Sequence, residues 1–202
     1  MAAILEKDNS LKFISDFKNG TLTIVVGSSW PKDENLLLDF INNNNLNVKF
    51  IIAPHNIKKE QIEELKNNIS KKVVLFTEME GKALAEYDVF IIDTIGILTK
   101  IYSYADIAYV GGGFGKSGVH NLLEPATFAV PVVIGPNYSR FAEAIALVNI
   151  GGCISVAKTS QVNNVFRNLI LDDAFRSEKG HICSTFVLMN KGATNSIMKK
   201  IS

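Results

Sequence analysis

The stretch Tyr109-Val-Gly-Gly-Gly-Phe-Gly-Lys-Ser-Gly-Val-His-Asn-Leu-Leu-Glu-Pro-Ala126 decides the fold. It begins as a short apolar strand and continues as a glycine-dense turn, and we predict that it ends in a helix starting between Val119 and Asn121. Small residues in such a turn let backbone N–H groups approach a phosphate, and the unpaired N–H groups of a first helical turn attract the same anion. The stretch therefore predicts a site for a phosphate-bearing ligand.

Two common nucleotide-binding motifs fit this turn poorly. The glycines at 113, 115 and 118 spell G-x-G-x-x-G, but a dinucleotide site should carry an acidic residue about 20 residues further on, after the next strand. Here the next strand, at 130–134, is followed by Gly135 and Pro136. A Walker A loop would need a glycine where Val110 stands. A dehydrogenase and a P-loop nucleotidase are thus both disfavoured.

Polar residues on the predicted helix favour a ligand site over a plain flexible turn, which stays open as the alternative. His120, Asn121 and Glu124 follow the glycines directly. On a helix, residues four apart share a face, so His120 and Glu124 are expected to point toward the same mouth as the glycines.

Composition excludes several classes of protein. The chain has 202 residues, 47% of them hydrophobic, and a net charge of +1, so no nucleic-acid partner is indicated. Cys153 and Cys183 form no metal motif, and we expect both to be small buried side chains. No run of apolar residues is long enough to cross a membrane and no signal peptide is visible, so the chain itself is expected to be soluble.

Short apolar segments alternate with helical segments along the chain. Strands are predicted at 21–26, 48–53, 73–76, 88–92, 107–110, 131–134 and 153–156, and helices at 33–41, 58–68, 97–104, 120–129, 140–149, 160–170, 172–189 and 191–201. This alternation predicts an α/β fold with a Rossmann-like, doubly wound parallel sheet. Residues 1–20 are weakly patterned and look like a linker from a preceding domain, which leaves 21–202 as a nucleotide-binding domain with C-terminal helices.

The distinctive polar residues follow the carboxyl ends of the predicted strands, where ligands bind in such sheets. Ser28 and Ser29 follow the first strand, His55 the second and 93–96 the fourth, while the glycine turn and 135–140 follow the next two. This clustering predicts a pocket of the nucleotide-binding type.

Three stretches together resemble a known family. They are D-T-x-G-x-L at 93–98, G-G-(loop)-G-x-H-N-x-L-E-P-A at 111–126, and G-P-(x)n-F-x-E at 135–143. In this order they resemble the C-terminal, donor-binding domain of the 3-deoxy-D-manno-octulosonic acid (Kdo) transferases, which are inverting GT-B glycosyltransferases of lipopolysaccharide synthesis. The resemblance covers about residues 10–200 and implies that the chain is one half of a GT-B enzyme.

The resemblance implies a donor, an acceptor and a location. The donor would be CMP-Kdo and the acceptor a lipid A precursor, held by an N-terminal domain that also supplies the general base. Without that domain the chain would not catalyse transfer. The longer protein would work at the cytoplasmic face of the bacterial inner membrane and reach the membrane only through its other part. No metal or cofactor is implied.

The same resemblance implies a set of donor-binding residues. They are Ser28, Ser29, His55, Ile95, Gly96, Ile97, Gly112, Gly113, His120, Asn121 and Glu124. The glycines and the helix at Asn121 would hold the CMP phosphate, the two serines would lie beside that phosphate or the sugar carboxylate, and 95–97 would frame the cytosine. Glu124 would accept hydrogen bonds from the ribose, and His120 would donate to the departing phosphate.

Two positions depart from the family pattern. Pro54 precedes His55 where many members have an arginine, and Arg140 stands where an asparagine is common. Two other functions stay open: a GT-B enzyme that uses a UDP-sugar, such as an N-acetylglucosaminyltransferase or an epimerase, and a non-catalytic nucleotide-binding module. The final helices would expose an apolar face if they pack on a missing half, which predicts weak self-association.

Overall fold

Seven strands and eight α-helices, with short 3-10 turns between some of them, make up the part of the chain that the computed structural model describes, residues 4–116 and 118–190. The strands are β1 Leu22–Ser29, β2 Val48–Pro54, β3 Val73–Leu75, β4 Val89–Ile91, β5 Ile107–Val110, β6 Val132–Ile134 and β7 Cys153–Ser155. The helices are α1 Lys12–Lys18, α2 Pro31–Asn43, α3 Lys59–Asn67, α4 Leu98–Ile101, α5 Leu123–Thr127, α6 Ala142–Asn149, α7 Thr159–Leu171 and α8 Asp173–Met189.

All neighbouring strands pair in parallel, in the order β3-β4-β2-β1-β5-β6-β7. From β1 the chain adds β2, then the edge strand β3 and then β4 between β3 and β2, and it returns to the other side of β1 with β5, β6 and β7. The strand order therefore reverses between β1 and β5, which is the place where open α/β sheets bind ligands. The predicted α/β, Rossmann-like fold is confirmed.

Both faces of the sheet are covered, and this explains why the strands are almost wholly apolar. On one face Val25 packs in a cluster with side chains from α1, α4, α5, α6 and α8. On the other face Ile24 and Val26 pack in a cluster with side chains from α2, α3 and α7. All three of these strand residues are at most 1% exposed. Alternate residues of one strand thus serve two separate cores.

Helix α1 belongs to the first core. Ile14 and Phe17 are fully buried, and the buried ammonium of Lys49 on β2 lies 2.7 Å from the carbonyl oxygens of both Phe17 and Ala85. Burial lowers the pKa of Lys49. The segment before β1 is therefore anchored to the sheet, while its role as a linker from a preceding domain stays a prediction.

Several predicted element bounds are corrected by the structure. Helix α2 begins at Pro31, two residues earlier than predicted. Helix α5 begins at Leu123, three residues later than predicted. The predicted helix at 191–201 lies outside the described residues. As predicted, Cys153 and Cys183 are free and buried.

Candidate functional site

The loops that follow β1 and β5 are in direct backbone contact at the point where the strand order reverses. Ser28 has a φ of 51°, and the pairing with β2 is irregular between Gly27 and Ser29. A Cβ on Gly111 would lie 2.4 Å from the Ser28 carbonyl oxygen, so only glycine fits there. The first glycine of the turn thus lets the two loops touch.

The next two glycines are also fixed by close packing. Gly112 has a φ of 93°, and a Cβ there would lie 2.3 Å from the Gly118 carbonyl oxygen. A Cβ on Gly113 would lie 2.6 Å from the Cα of Gly135, in the loop after β6. The glycine turn is therefore a rigid seam between three strand-end loops.

Asp33 is the buried carboxylate that holds this seam together. Its side chain is 0% exposed. Its Oδ1 accepts a hydrogen bond from the Tyr109 hydroxyl at 2.8 Å. Its Oδ2 accepts from the backbone N–H of Gly112 at 2.9 Å and from that of Trp30 at 3.0 Å. Burial, with Asp33 beside it, raises the pKa of Tyr109, so the phenol stays protonated and donates. Three donors satisfy the buried charge, as such a charge requires.

Trp30, His55 and His120 form a cluster of aromatic rings beside the seam. The ring of His55 stacks on Trp30 at 4.4 Å and on His120 at 4.5 Å between centroids. The indole Nε1 donates to Nε2 of His120 at 3.0 Å. Burial, then the nearby His55, lowers the pKa of His120, while Asp33 acts in the opposite direction. His120 is therefore held as a neutral ring near pH 7.

Glu124 is oriented by two side chains. The Thr99 hydroxyl on α4 donates to its Oε2 at 2.7 Å, and Nδ2 of Asn121 donates to its Oε1 at 3.0 Å. Asn121 in turn accepts from the Leu123 N–H at 3.1 Å. Each carboxylate oxygen can accept a further hydrogen bond, so Glu124 is a fixed acceptor with unused capacity.

The loop after β4 presents backbone to solvent. Ile95 is 76% exposed, and Gly96 has a φ of 90° with nothing within 4 Å of where its Cβ would be. Asp93 accepts from the Thr77 N–H at 3.0 Å and from the Thr77 hydroxyl. Ile95, Gly96 and Ile97 lie directly before α4, two to four residues from Thr99.

The loop after β6 braces the glycine turn. The guanidinium of Arg140 donates to the Lys116 carbonyl oxygen. The Asn137 N–H donates to the Gly113 carbonyl oxygen at 2.9 Å, and its side-chain Nδ2 donates to the Gly115 carbonyl oxygen at 3.2 Å. Arg140, a departure from the family pattern, thus contacts the turn itself.

The structure adds three details to the predicted site. The Gly112 N–H already donates to Asp33. Ser29 is 1% exposed and its hydroxyl donates to Glu34 at 2.8 Å. Asn121 precedes α5, a helix of only five residues, and so is not on its first turn. The reason for this last difference is that residues 118–122 form an irregular segment before the helix, in which the His120 N–H donates to the Gly111 carbonyl oxygen.

The other predicted residues fall into two groups. His55 and His120 meet in the ring cluster beside Gly112, whose Cβ would lie 3.0 Å from the His120 Cδ2. Asn121 and Glu124 meet around Thr99. The sequence reasoning missed Trp30, Asp33 and Thr99. The signal for the first two was their place directly after Gly27-Ser28-Ser29 at a strand end; Thr99 gave none.

An open cleft of roughly 440 Å³ lies beside the ring cluster. It is lined by Trp30, Pro31, Lys32, Gly115 and Lys116. This volume is in the range of small-molecule sites. Among the described residues no group of three or more His, Cys, Asp or Glu side chains is placed to hold a metal ion, and no described helix is long and apolar enough to span a bilayer.

Comparison with known proteins gives relatives of one kind. No family model matches the chain. The 3-deoxy-D-manno-octulosonic acid transferase of Chlamydophila psittaci is 36% identical over 139 residues, which are 66% of this chain and 32% of that protein. The enzyme of the same name from Chlamydia trachomatis serovar D is 34% identical over 160 residues, 77% of this chain and 35% of that protein. The chain thus spans about a third of these relatives.

Among solved structures, the C-terminal CMP-Kdo binding domain of WaaA from Acinetobacter baumannii has a TM-score of 0.73 at 18% identity, over 88% of this chain and 99% of that domain. The fold is that of one half of a GT-B glycosyltransferase. By sequence the chain is a homologue of the Kdo transferases. The resemblance drawn from residues 93–143 is confirmed.

Proposed function

We propose that the chain is the donor-binding half of an inverting glycosyltransferase that moves Kdo from CMP-Kdo to a lipid A precursor in lipopolysaccharide biosynthesis. The observation that carries the proposal is the homology to Kdo transferases, which includes the run from His120 to Glu124. In the structure this run lies where the strand order reverses, next to the glycine seam. The longer protein would act at the cytoplasmic face of the inner membrane.

Glu124 would recognise the ribose. Thr99 and Asn121 fix its two oxygens, so the carboxylate meets two neighbouring hydroxyls without first having to be ordered. The exposed backbone of Ile95, Gly96 and Ile97 comes just before the helix that carries Thr99, and would frame the cytosine from there.

The phosphate would lie against the glycine seam. Since Asp33 takes the Gly112 N–H, we assign this contact to the backbone of Gly113 and to His120, with Ser28 and the exposed His55 at the edge. The role of Gly112 is then to allow the turn its shape, through a positive φ and a close approach to Gly118.

In the reaction, the acceptor hydroxyl oxygen bonds to the anomeric carbon of Kdo while the bond from that carbon to the phosphate oxygen breaks. The bonding electrons leave with CMP, and the hydroxyl proton passes to a base in the other half of the longer protein. Donors fixed before the reaction stabilise the charge that develops on the phosphate. His120 is the side chain to which we assign that role, and no metal or cofactor is invoked.

Calorimetric titration of the chain with CMP, UMP and NAD tests the proposal. We expect CMP to bind more tightly than UMP, and Glu124→Ala to weaken CMP by roughly 10-fold or more through lost ribose contacts. Glu60→Ala, at an exposed first-turn glutamate of α3, is the matched control and should change nothing.

Each other result has a definite meaning. A preference for UMP would indicate a UDP-sugar enzyme. The fold alone does not decide between the two nucleotides, because Anabaena HepE in complex with UDP has the same fold, with a TM-score of 0.62 at 14% identity over 94% of this chain. CMP binding without Kdo transfer by the longer protein would indicate a non-catalytic module. Binding of NAD alone would contradict the proposal.

A further inference from the structure

Trp30 and His120 are joined edge to edge, and the direction of their hydrogen bond is fixed by chemistry. The indole Nε1 lies 3.0 Å from the imidazole Nε2, and the two ring planes differ by 8°. An indole N–H only donates, so Nε2 of His120 must present a lone pair. The neutral His120 ring therefore carries its proton on Nδ1.

The position of Trp30 is itself fixed from two sides. Its backbone N–H donates to Oδ2 of Asp33, the same oxygen that accepts from Gly112. Its ring is covered by His55, with centroids 4.4 Å apart and planes 20° apart. The indole is thus held in a set position relative to the glycine seam.

The remaining nitrogen of His120 faces away from the buried side of the site. The Cδ2 edge of the ring faces Gly112, where an added Cβ would lie 3.0 Å away. Nδ1 lies on the opposite side of the ring from Cδ2. The one N–H that the ring retains is therefore directed away from the seam, on a residue that is only half-buried.

We infer that Trp30 is a positioning residue that holds His120 in the Nδ1–H tautomer, so that the ring can donate a hydrogen bond to an anionic group of the donor. With the proton on Nε2 instead, the outward nitrogen could only accept, and it would face the anion with a lone pair. The role toward the donor rests on the proposed function, whereas the tautomer is a property of the free chain.

Long-range proton–nitrogen NMR correlation on the ligand-free chain at pH 7.5 tests the tautomer. The two imidazole nitrogens have different shifts when protonated, and the chain has three histidines, with His120→Gln assigning the relevant signals. We expect His120 to be a neutral ring protonated on Nδ1. A wild-type ring protonated on Nε2, or an averaged one, would overturn the inference without any ligand.

Two variants separate the hydrogen bond from the stack. Trp30→Phe keeps an aromatic ring against His55 but removes the N–H, and should return His120 to a mixture of tautomers. His55→Asn removes the stacked ring but leaves the indole N–H, and should keep the Nδ1–H form. A tautomer unchanged in Trp30→Phe would show that the indole does not set it.

CMP titration supplies the functional arm. We expect Trp30→Phe and His120→Ala each to weaken CMP binding by roughly 5- to 10-fold, and the double variant to be no weaker than either, because both remove the same contact. Additive losses would contradict the positioning role. If the wild-type chain binds no CMP, the proposed function fails, and the NMR result still decides the tautomer.

Discussion

Thr99 and Glu124 are joined by a 2.7 Å hydrogen bond between α4 and α5. The threonine lies just after the exposed loop assigned to the base, and the glutamate is assigned to the ribose. One hydroxyl thus connects the two places where a nucleoside would be read. Within residues 4–116 and 118–190 this hydroxyl bonds to the carboxylate alone, so it can be removed without opening a core.

Replacing Thr99 with valine should weaken CMP binding by about 5-fold, because Glu124 loses one of the two donors that orient it. The methyl group takes the space of the hydroxyl, so the free energy of unfolding should change little. Calorimetry and urea titration measure the two quantities. Ser103→Ala, which removes an exposed hydroxyl that donates to a backbone carbonyl of α4, is the control. Equal losses of affinity in both variants would contradict a specific role.

Replacing Asp33 with asparagine should lower the free energy of unfolding by about 3 kcal/mol, because an amide cannot accept from all three of its buried donors. Urea denaturation followed by circular dichroism measures this loss. Asn35→Ala, at an exposed site on the same helix, should stay within about 0.5 kcal/mol of the wild type. A stability near that of the wild type in Asp33→Asn would mean that the carboxylate does not hold the seam.

Replacing Gly113 with alanine should cost about 3 kcal/mol and reduce CMP affinity at least 10-fold, since the new methyl group would meet the backbone of Gly135. Gly81→Ala is the matched control for this variant. Gly81 has a φ of 73° but open space around it, so alanine there should cost about 1–2 kcal/mol and leave CMP binding intact. Similar CMP affinities in the two variants would contradict the clash with Gly135 as the cause of the loss.

Acid should loosen the ring cluster. The pKa of His120 lies below its ordinary value of 6.5 because of burial and the nearby His55, with Asp33 opposing. Between the two values the unfolded chain binds more protons, so the contribution of His120 to stability is complete above about pH 6.5 and is lost as the pH falls through the folded pKa. A protonated ring also cannot accept from the indole.

Trp30 is the one tryptophan of the chain, so its fluorescence reports this event directly. We expect a change in emission with a midpoint below pH 6.5, accompanied by a fall in the urea midpoint. In His120→Gln the amide oxygen can still accept from the indole but does not titrate, so both changes should flatten. A transition that persists in this variant would have to be assigned to another group.

The fold could be predicted from the sequence because its strands are covered on both faces. Nearly continuous apolar runs such as 22–26 and 107–110 are typical of strands that are buried on both faces. The turns between them carry glycine, proline or serine. The start of α5 could not be predicted in this way. Residues 118–122 follow the glycine turn directly, but the His120 N–H donates to the Gly111 carbonyl oxygen and Gly118 packs against Phe141, and these long-range contacts keep the stretch out of the helix.

The site was predicted in outline but not in its bonding. Motif order placed His120, Asn121 and Glu124 after β5, at the edge where strand ends of a parallel sheet meet; their contact with a donor stays a prediction. Which N–H groups remain for a ligand depended on Asp33, which reaches Gly112 across 79 residues of sequence. A helix-start aspartate is usually a local cap, and the sequence holds nothing that distinguishes this one.

The backbone contact between Gly113 and Gly135 separates the part of the site that does not tolerate substitution from the part that does, which matters for changing the donor preference. Neither position admits a side chain while the other strand-end loop stays where it is, so a library of variants that randomises the seam would consist almost entirely of misfolded members. Ile95, in the loop after β4, has no such restriction, because it is 76% exposed. Under the proposed function, diversity placed at Ile95, with the glycines kept constant, would change the region assigned to the base and leave the region assigned to the phosphate intact.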